Sequence, residues 1–420
     1  MSRTAATVAP SASRSPELSL LLAAIKSAVG ASPQCDSTLV KGRETRWISF
    51  MTLALEHQVG GLALAGLNRM PGLFVPPPVV AQLAKHARDI LKQRAAALEE
   101  LRRIAQALAC AGIEMMPIKG PLLRQRLFPE VAAGPSRDLD LLIRPHQVRL
   151  AFDILAQCGY RGESGFSLKQ SQMLMQLYGQ DLWQRDDGRF AIEPHIAIVP
   201  GNLGVKVNHE AMWQRAQLTK FDGAAVRVLE PEDEFMLLAV HGAKEGWARL
   251  KWLADLAALV AHEPQINWEL VSQRAKEQLL QRMTGLSALL LAETFALELP
   301  FAAFARRDPR LRAMARRIAR CWEQPLDDTL FKPSIFELSW TRSLLCDNAA
   351  ARFFYFFHTA VTPREMHYRL IKLPDWMFAI YYPIKVVHDY VLWPAWILVK
   401  WVRSFARRVT RTVQQVYQLR

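Results

Sequence analysis

The sequence predicts an α+β fold: a small mixed β-sheet with its helices, embedded in a mainly helical chain. Short apolar runs closed by glycine or proline are confined to residues 113–231, as strands would be. On either side, apolar residues recur at intervals of three and four, the helical period. Hydrophobic residues make up 51% of the 420, enough to bury a sizeable core and to exclude a globally disordered chain.

The elements follow in chain order. The start, "MSRTAATVAPSASRSPE", is rich in Ser, Ala and Pro and has no apolar stretch behind its basic residues. Residues 1–16 are therefore expected to be a disordered tail rather than a signal peptide. Residues 17–112 read as a helical region. "ELSLLLAAIKSAVG" ends on a glycine suited to a helix C-terminus, and "ILKQRAAALEELRRIAQALACAG" is a long charged helix that stops at Gly112.

The pattern then changes, and an α/β core is expected over 113–231. "IEMMPIKG" suits a buried strand, and "PLLRQRLFP" a short helix with Pro121 in its first turn. "DLDLLIRP" is the second strand, and "HQVRLAFDILAQCGY" a helix ending at Gly159. A further helical stretch leads to a third strand in "RFAIEPHIAIV" (189–199), and "AVRVLEP" (225–231) is a fourth candidate. Helices return over 232–330, and residues 331–420 form an aromatic segment with a basic end.

Charge and cysteine usage narrow the function. A net charge of +14 calls for an anionic partner: a nucleotide, a nucleic acid or a membrane surface. Five scattered cysteines without a CxxC pair favour a reduced, cytoplasmic protein with neither a disulfide framework nor a zinc site. No apolar run reaches the roughly 20 residues of a membrane span. The best candidate, 376–402, is interrupted by Lys385, His388, Asp389 and Lys400.

The candidate chemistry lies in "GPSRDLDLLIRP". Strand side chains alternate, so Asp138 and Asp140 share a face with Cα atoms roughly 6–7 Å apart. Carboxylates so placed repel unless a cation lies between them, and Mg²⁺ or Mn²⁺ suits such a pair. Asp-x-Asp is also a common solvated strand edge, so the neighbours must decide. Lys119-Gly120 ends the previous strand at a helix start, where backbone N–H groups and a lysine suit phosphate. Glu193, a third acid, sits inside an apolar strand, where a carboxylate is costly unless it is paired, metal-bound or facing solvent.

Together, "IKGPLLRQRLFPE", "SRDLDLLI", "AFDILAQCGY" and "IEPHIAI" resemble the uncharacterised nucleotidyltransferase family of the polymerase-β-like nucleotidyltransferase superfamily. "LAVHGAKEGWARLKWLADLAAL" is similar to the helical part of that family. The resemblance implies a nucleotidyltransferase-type core in which Asp138, Asp140 and Glu193 hold Mg²⁺ or Mn²⁺, with Glu193 completing a metal shell or taking a proton. It implies that Lys119 and Gly120 contact the triphosphate. Arg137 directly precedes the first aspartate, whereas the family keeps its arginine a residue or two earlier. The wider superfamily has Gly-Ser or Gly-Gly in place of Lys-Gly. Pro194 lacks a donor, which predicts an edge strand or a bulge.

Beyond the acids, His241, Lys244, Trp247, Arg249, Lys251 and Asp255 are expected on one helical region, with Lys251 and Asp255 paired across one turn. Lys244 or Arg249 would reach phosphate or acceptor and Trp247 would stack on a base; the alternative is a solvated face with a packed tryptophan. His195 either supports Glu193 or is a buried, hydrogen-bonded histidine. At the C-terminus Ile397, Trp401, Phe405 and Val409 recur every four residues opposite Arg403, Arg407 and Arg411. That pattern suits an interfacial helix on an anionic membrane or a helix docked on the protein's own core.

The sequence thus predicts a metal-dependent nucleotidyltransferase that moves a nucleoside monophosphate from an NTP to an acceptor it does not identify. Alternatives are a degenerate nucleotide-binding or scaffold protein and an adaptor on the inner face of the membrane through 373–420. No nucleic-acid-binding motif supports an RNA or DNA partner.

Overall fold

The computed structural model describes residues 14–31, 45–135, 138–162, 166–221, 224–324, 335–397, 399–400 and 402. The expected tail lies almost wholly outside these residues, as do Arg137, Trp401 and the basic stretch 403–420.

Among the described residues, four helices come first: α1 (Pro16–Ala28), α2 (Trp47–Glu56), α3 (Gly60–Leu67) and the long α4 (Pro77–Cys110). Ser15 caps α1 by accepting from the Leu18 N–H, and Pro16 stands where no N–H is needed. The α/β region follows, with β1 (Met115–Pro117), α5 (Gly120–Leu127), β2 (Asp138–Ile143), α6 (Val148–Gln157) and β3 (Tyr160–Gly162). It continues through α7 (Leu168–Tyr178), β4 (Trp183–Arg185), β5 (Ala191–His195), α8 (His209–Arg215), β6 (Gln217–Phe221) and β7 (Ala224–Val228). Helices α9 (Pro231–Lys244), α10 (Leu250–His262), α11 (Trp268–Glu277), α12 (Gln281–Phe295), α13 (Ala302–Arg307) and α14 (Pro309–Cys321) come next. The last are α15 (Ile335–Leu344), α16 (Ala349–Val361), α17 (Glu365–Leu370) and α18 (Tyr381–Val387), which runs into a π-helical turn at 388–392.

The five-stranded sheet has the order β1-β2-β5-β4-β3, parallel between β2 and β5 and antiparallel elsewhere. The mixed sheet is as expected, but the strand of residues 225–231 is β7, which pairs with β6 in a separate hairpin. Period-two alternation divides the sheet. Leu139, Leu141, Ile143 and Ile192 pack on α4 and α6, while Leu142 faces Met212 and Leu237 on the other side. Tyr160 and Arg185 fasten β3 and β4 to α4 through the buried Glu100, at 2.7 and 2.9 Å.

Two expectations are corrected. β5 is central, not an edge, and the structure shows why proline is tolerated there. The Pro194 carbonyl accepts from Asp181 N–H, so its nitrogen faces the β4 side. There the paired residues of β4 end at Trp183–Ile192, and beyond them the Asp181–Pro194 bond and an isolated Gln180–His195 bridge need no donor from Pro194. The one helical region expected to carry His241 through Asp255 is instead two helices, α9 and α10, separated where Gly246 (φ +62°) and Trp247 (φ +52°) both turn left-handed.

The first apolar core gathers α1–α3, α9, α10, α12 and α14 around residues such as Phe50, Phe235, Trp247 and Trp322. Near the C-terminus, Leu174 of α7 packs with Tyr368, Phe378 and Tyr381. Asp389 in the π-helical turn is held by Arg364, His367, Lys385 and His388, pinning the turn to α17 and α18.

Candidate active site

The parallel register of β2 and β5 sets Asp140 beside Glu193 and Leu142 beside His195, all on one face. Asp138 and Asp140 therefore converge with Glu193 on a cavity of about 350 Å³, walled on the far side by α9 and α10. Asp138 is exposed at its mouth, whereas Asp140 is buried.

Lys119 is extended and Gly120 turns left-handed (φ +76°) to begin α5. A Cβ on Gly120 would lie 3.2 Å from the Asp138 carbonyl, so conformation and space both require glycine. The turn points the Lys119 ammonium at Asp140 Oδ1, 2.7 Å away. His195 Nε2 lies 3.1 Å from the same oxygen and 3.6 Å from Glu193 Oε2. Gln180 donates to Glu193 at 2.7 Å and accepts from Lys244 at 3.3 Å. The chain Lys244–Gln180–Glu193 thus links α9 to the central strand.

Burial works against the Lys119 ammonium, yet Asp140 and Glu193 outweigh it and hold the lysine above its ordinary value. Burial would raise the Asp140 carboxyl, but Lys119 and His195 keep it well below the usual range. Asp138 goes the other way: burial, then the charges of Glu193 and Asp140, push it up. Burial lowers Lys244, and burial together with Arg124 lowers Lys251 to about 8. Burial, and then the charge of Lys119, lower His241 well below its ordinary value.

The donor set fits a divalent cation. Ligand atoms of Asp140, Glu193 and His195 lie within 4.8 Å of one another, with Asp138 on the same cavity but outside that close group. Two carboxylates suit Mg²⁺, and the imidazole suits Mn²⁺ as well.

The structure thus brings together Lys119, Gly120, Asp138, Asp140, Glu193 and Lys244. Arg249 caps the start of α10 and does not line the cavity; the cation on that wall is Lys251. The expected Lys251–Asp255 pair is replaced by a buried one between Arg124 and Asp255 at 3.1 Å. Arg124 also holds the Pro135 carbonyl ahead of β2, at 2.5 Å. Behind it, Arg94 holds the carbonyls of Phe128 and Pro129, each at 2.7 Å. Trp247 is fully buried against Gly242 and packs in the core rather than stacking on a ligand. Sequence reading missed Gln180, which carries no motif, and Arg124, whose place one helical turn beyond Lys119-Gly120 was the only sign.

A mixed sheet whose parallel central pair gathers acids beside a Lys-Gly helix start sets carboxylates, a lysine and a helix N-terminus around one cavity. The model of the family described as "Uncharacterised nucleotidyltransferase" matches residues 43–296, more than half of the chain, and the chain belongs to that family. It is a transferase of the nucleotidyl-transferring kind. No curated protein and no solved structure matches it.

Proposed function

We propose that this enzyme moves a nucleoside monophosphate from an NTP to an acceptor hydroxyl in a reaction that depends on Mg²⁺ or Mn²⁺. The observation that carries the reading is the β2–β5 register, which sets Asp140 against Glu193 in the cavity that Lys119 and Gly120 enter. Asp138, Asp140 and Glu193 would hold the cation, with His195 beside them. The cation would neutralise charge developing on the transferred phosphoryl group.

The chain's own groups supply the rest. Lys119 and the N-terminus of α5 bind phosphate, and Lys244 and Lys251, desolvated on the opposite wall, favour an anion between them. As the acceptor oxygen bonds to the α-phosphorus, the bond to the bridging oxygen breaks and pyrophosphate leaves with the electron pair. Glu193, oriented by Gln180, either completes the cation's shell or takes the acceptor's proton. Positioning and charge account for most of the rate enhancement.

Calorimetric titration of each NTP with Mg²⁺ or Mn²⁺ tests this. Binding that needs the metal and disappears in folded Asp138→Asn/Asp140→Asn supports the reading; no metal-dependent binding to the wild type sinks it. One observation favours a second reading, a non-catalytic nucleotide-binding protein: the Lys119 ammonium already neutralises Asp140. Nucleotide binding unaffected by chelation would favour that reading.

No helix among the described residues is long and apolar enough to cross a membrane. We infer instead a peripheral contact with an anionic, cytoplasm-facing membrane surface. Trp376, Tyr390, Trp393, Trp396 and Val399 are exposed on the C-terminal segment. The sequence beyond them adds Arg403, Arg407, Arg408 and Arg411 without an acid.

A further inference from the structure

A second cavity, of about 730 Å³, adjoins the acidic one and shares Lys244, Glu245 and Trp252 with it. Its wall is largely apolar, with Met314 and Ile318 from α14, Trp340 from α15, and Trp247. Arg310, Arg317 and Arg342 surround that apolar space, and Glu245 is the only acid among its described lining residues. Arg342 reaches the doorway itself by donating to the Lys244 carbonyl at 2.9 Å.

Two further features mark this boundary. The Trp247 indole N–H and the Arg342 Nε–H are buried without a hydrogen-bond partner among the described residues. Trp247 also holds a left-handed backbone, rare for a bulky side chain, on the wall of the second cavity. Such strain persists only where surrounding packing enforces it, and it concentrates at binding sites.

We propose that this cavity binds the acceptor, and that the acceptor is a small amphiphile with an apolar or aromatic body and a phosphate or carboxylate. The arginines would hold the anionic group, the α14–α15 wall the body, and the reacting hydroxyl would lie at the Lys244 doorway. The volume falls in the range of small-molecule sites. A nucleic acid would instead call for a basic groove that tracks its backbone. The inference rests on the nucleotidyltransferase reading and gives that reaction its missing substrate class.

The test is calorimetric titration of the full-length protein with naphthyl phosphate, naphthol, inorganic phosphate and a short single-stranded oligoribonucleotide. Ala313 and Arg317 are both exposed on α14, so Ala313→Trp and Arg317→Glu are the test variants, each checked for native folding by circular dichroism before titration. Naphthyl phosphate is expected to bind at least about tenfold more tightly than naphthol or phosphate alone, and each substitution to weaken it about tenfold. No binding of naphthyl phosphate, or binding that neither substitution changes, overturns the inference. Tighter oligoribonucleotide binding that both substitutions abolish overturns the small-molecule class. A parallel titration with each Mg-NTP separates the two readings. An Mg-NTP bound without naphthyl phosphate removes this cavity's role alone. Naphthyl phosphate bound without any Mg-NTP keeps the amphiphile site and removes nucleotidyl transfer.

Discussion

Gly120 tests the phosphate corner at the scale of one residue. Gly120→Ala forces a Cβ toward the Asp138 carbonyl in a left-handed backbone. It is expected to cost about 1–2 kcal/mol in urea unfolding and about tenfold in NTP affinity. Lys119→Met removes the cation from the buried Asp140. A loss of about 3 kcal/mol is expected, part of it recovered when Mn²⁺ is added; no recovery would count against cation binding by these acids. His209 gives a pH signature elsewhere. Its Nε2 accepts from the Ile198 N–H, and burial lowers its pKa from 6.5 to about 4. Between those values the unfolded chain binds a proton that the folded one refuses, so stability is lost on acidification from pH 6.5 toward 4. The loss approaches about 3 kcal/mol, and His209→Gln is expected to flatten it in denaturant titrations at pH 7.5 and 5. The acids were legible in the sequence because their alternation fixes a common face. Their partners Gln180 and Arg124 were not, because nothing local marks a side chain that acts across elements.

Among the elements, strands with apolar runs were legible and short ones were not. β2 and β5 each carry enough buried side chains to declare themselves. β3 and β4 are three residues long, half-exposed, and formed by pairing with neighbours. Proline was read as an edge signal because a central strand usually needs every donor. Here the missing N–H falls where the β4 ladder has stopped. Pro194→Ala is therefore expected to cost less than about 1 kcal/mol, through the freer unfolded chain, and to leave NTP affinity unchanged. A large loss of affinity would mean that the proline sets the Asp140–Glu193 register. The α9–α10 break escaped notice because Gly-Trp inside an apolar-periodic run looks helical until the left-handed turn is seen.

For the whole molecule, composition announced a basic, mainly helical protein but not which helices share a core. α1–α3 pack with α9, α10 and α12 across the chain, and an amphipathic face does not name its partner. The exposed C-terminal aromatics bear on location. Trp393→Glu/Trp396→Glu is expected to lower partitioning onto anionic vesicles about tenfold, and 0.5 M salt to weaken wild-type binding; equal sedimentation of both proteins would remove the membrane contact. Arg124 has a wider consequence. It ties the Lys119-Gly120 helix to the segment entering β2 and to α10, so an occupant of the acidic cavity touches parts already fastened to one another. Occupancy then acts as a clasp on the native state, worth about 2.7 kcal/mol at a ligand concentration a hundredfold above Kd. Melting temperature becomes an assay that needs no knowledge of the reaction: a library of nucleotides and amphiphiles, scored by thermal shift, would find the substrates first and leave the chemistry to follow.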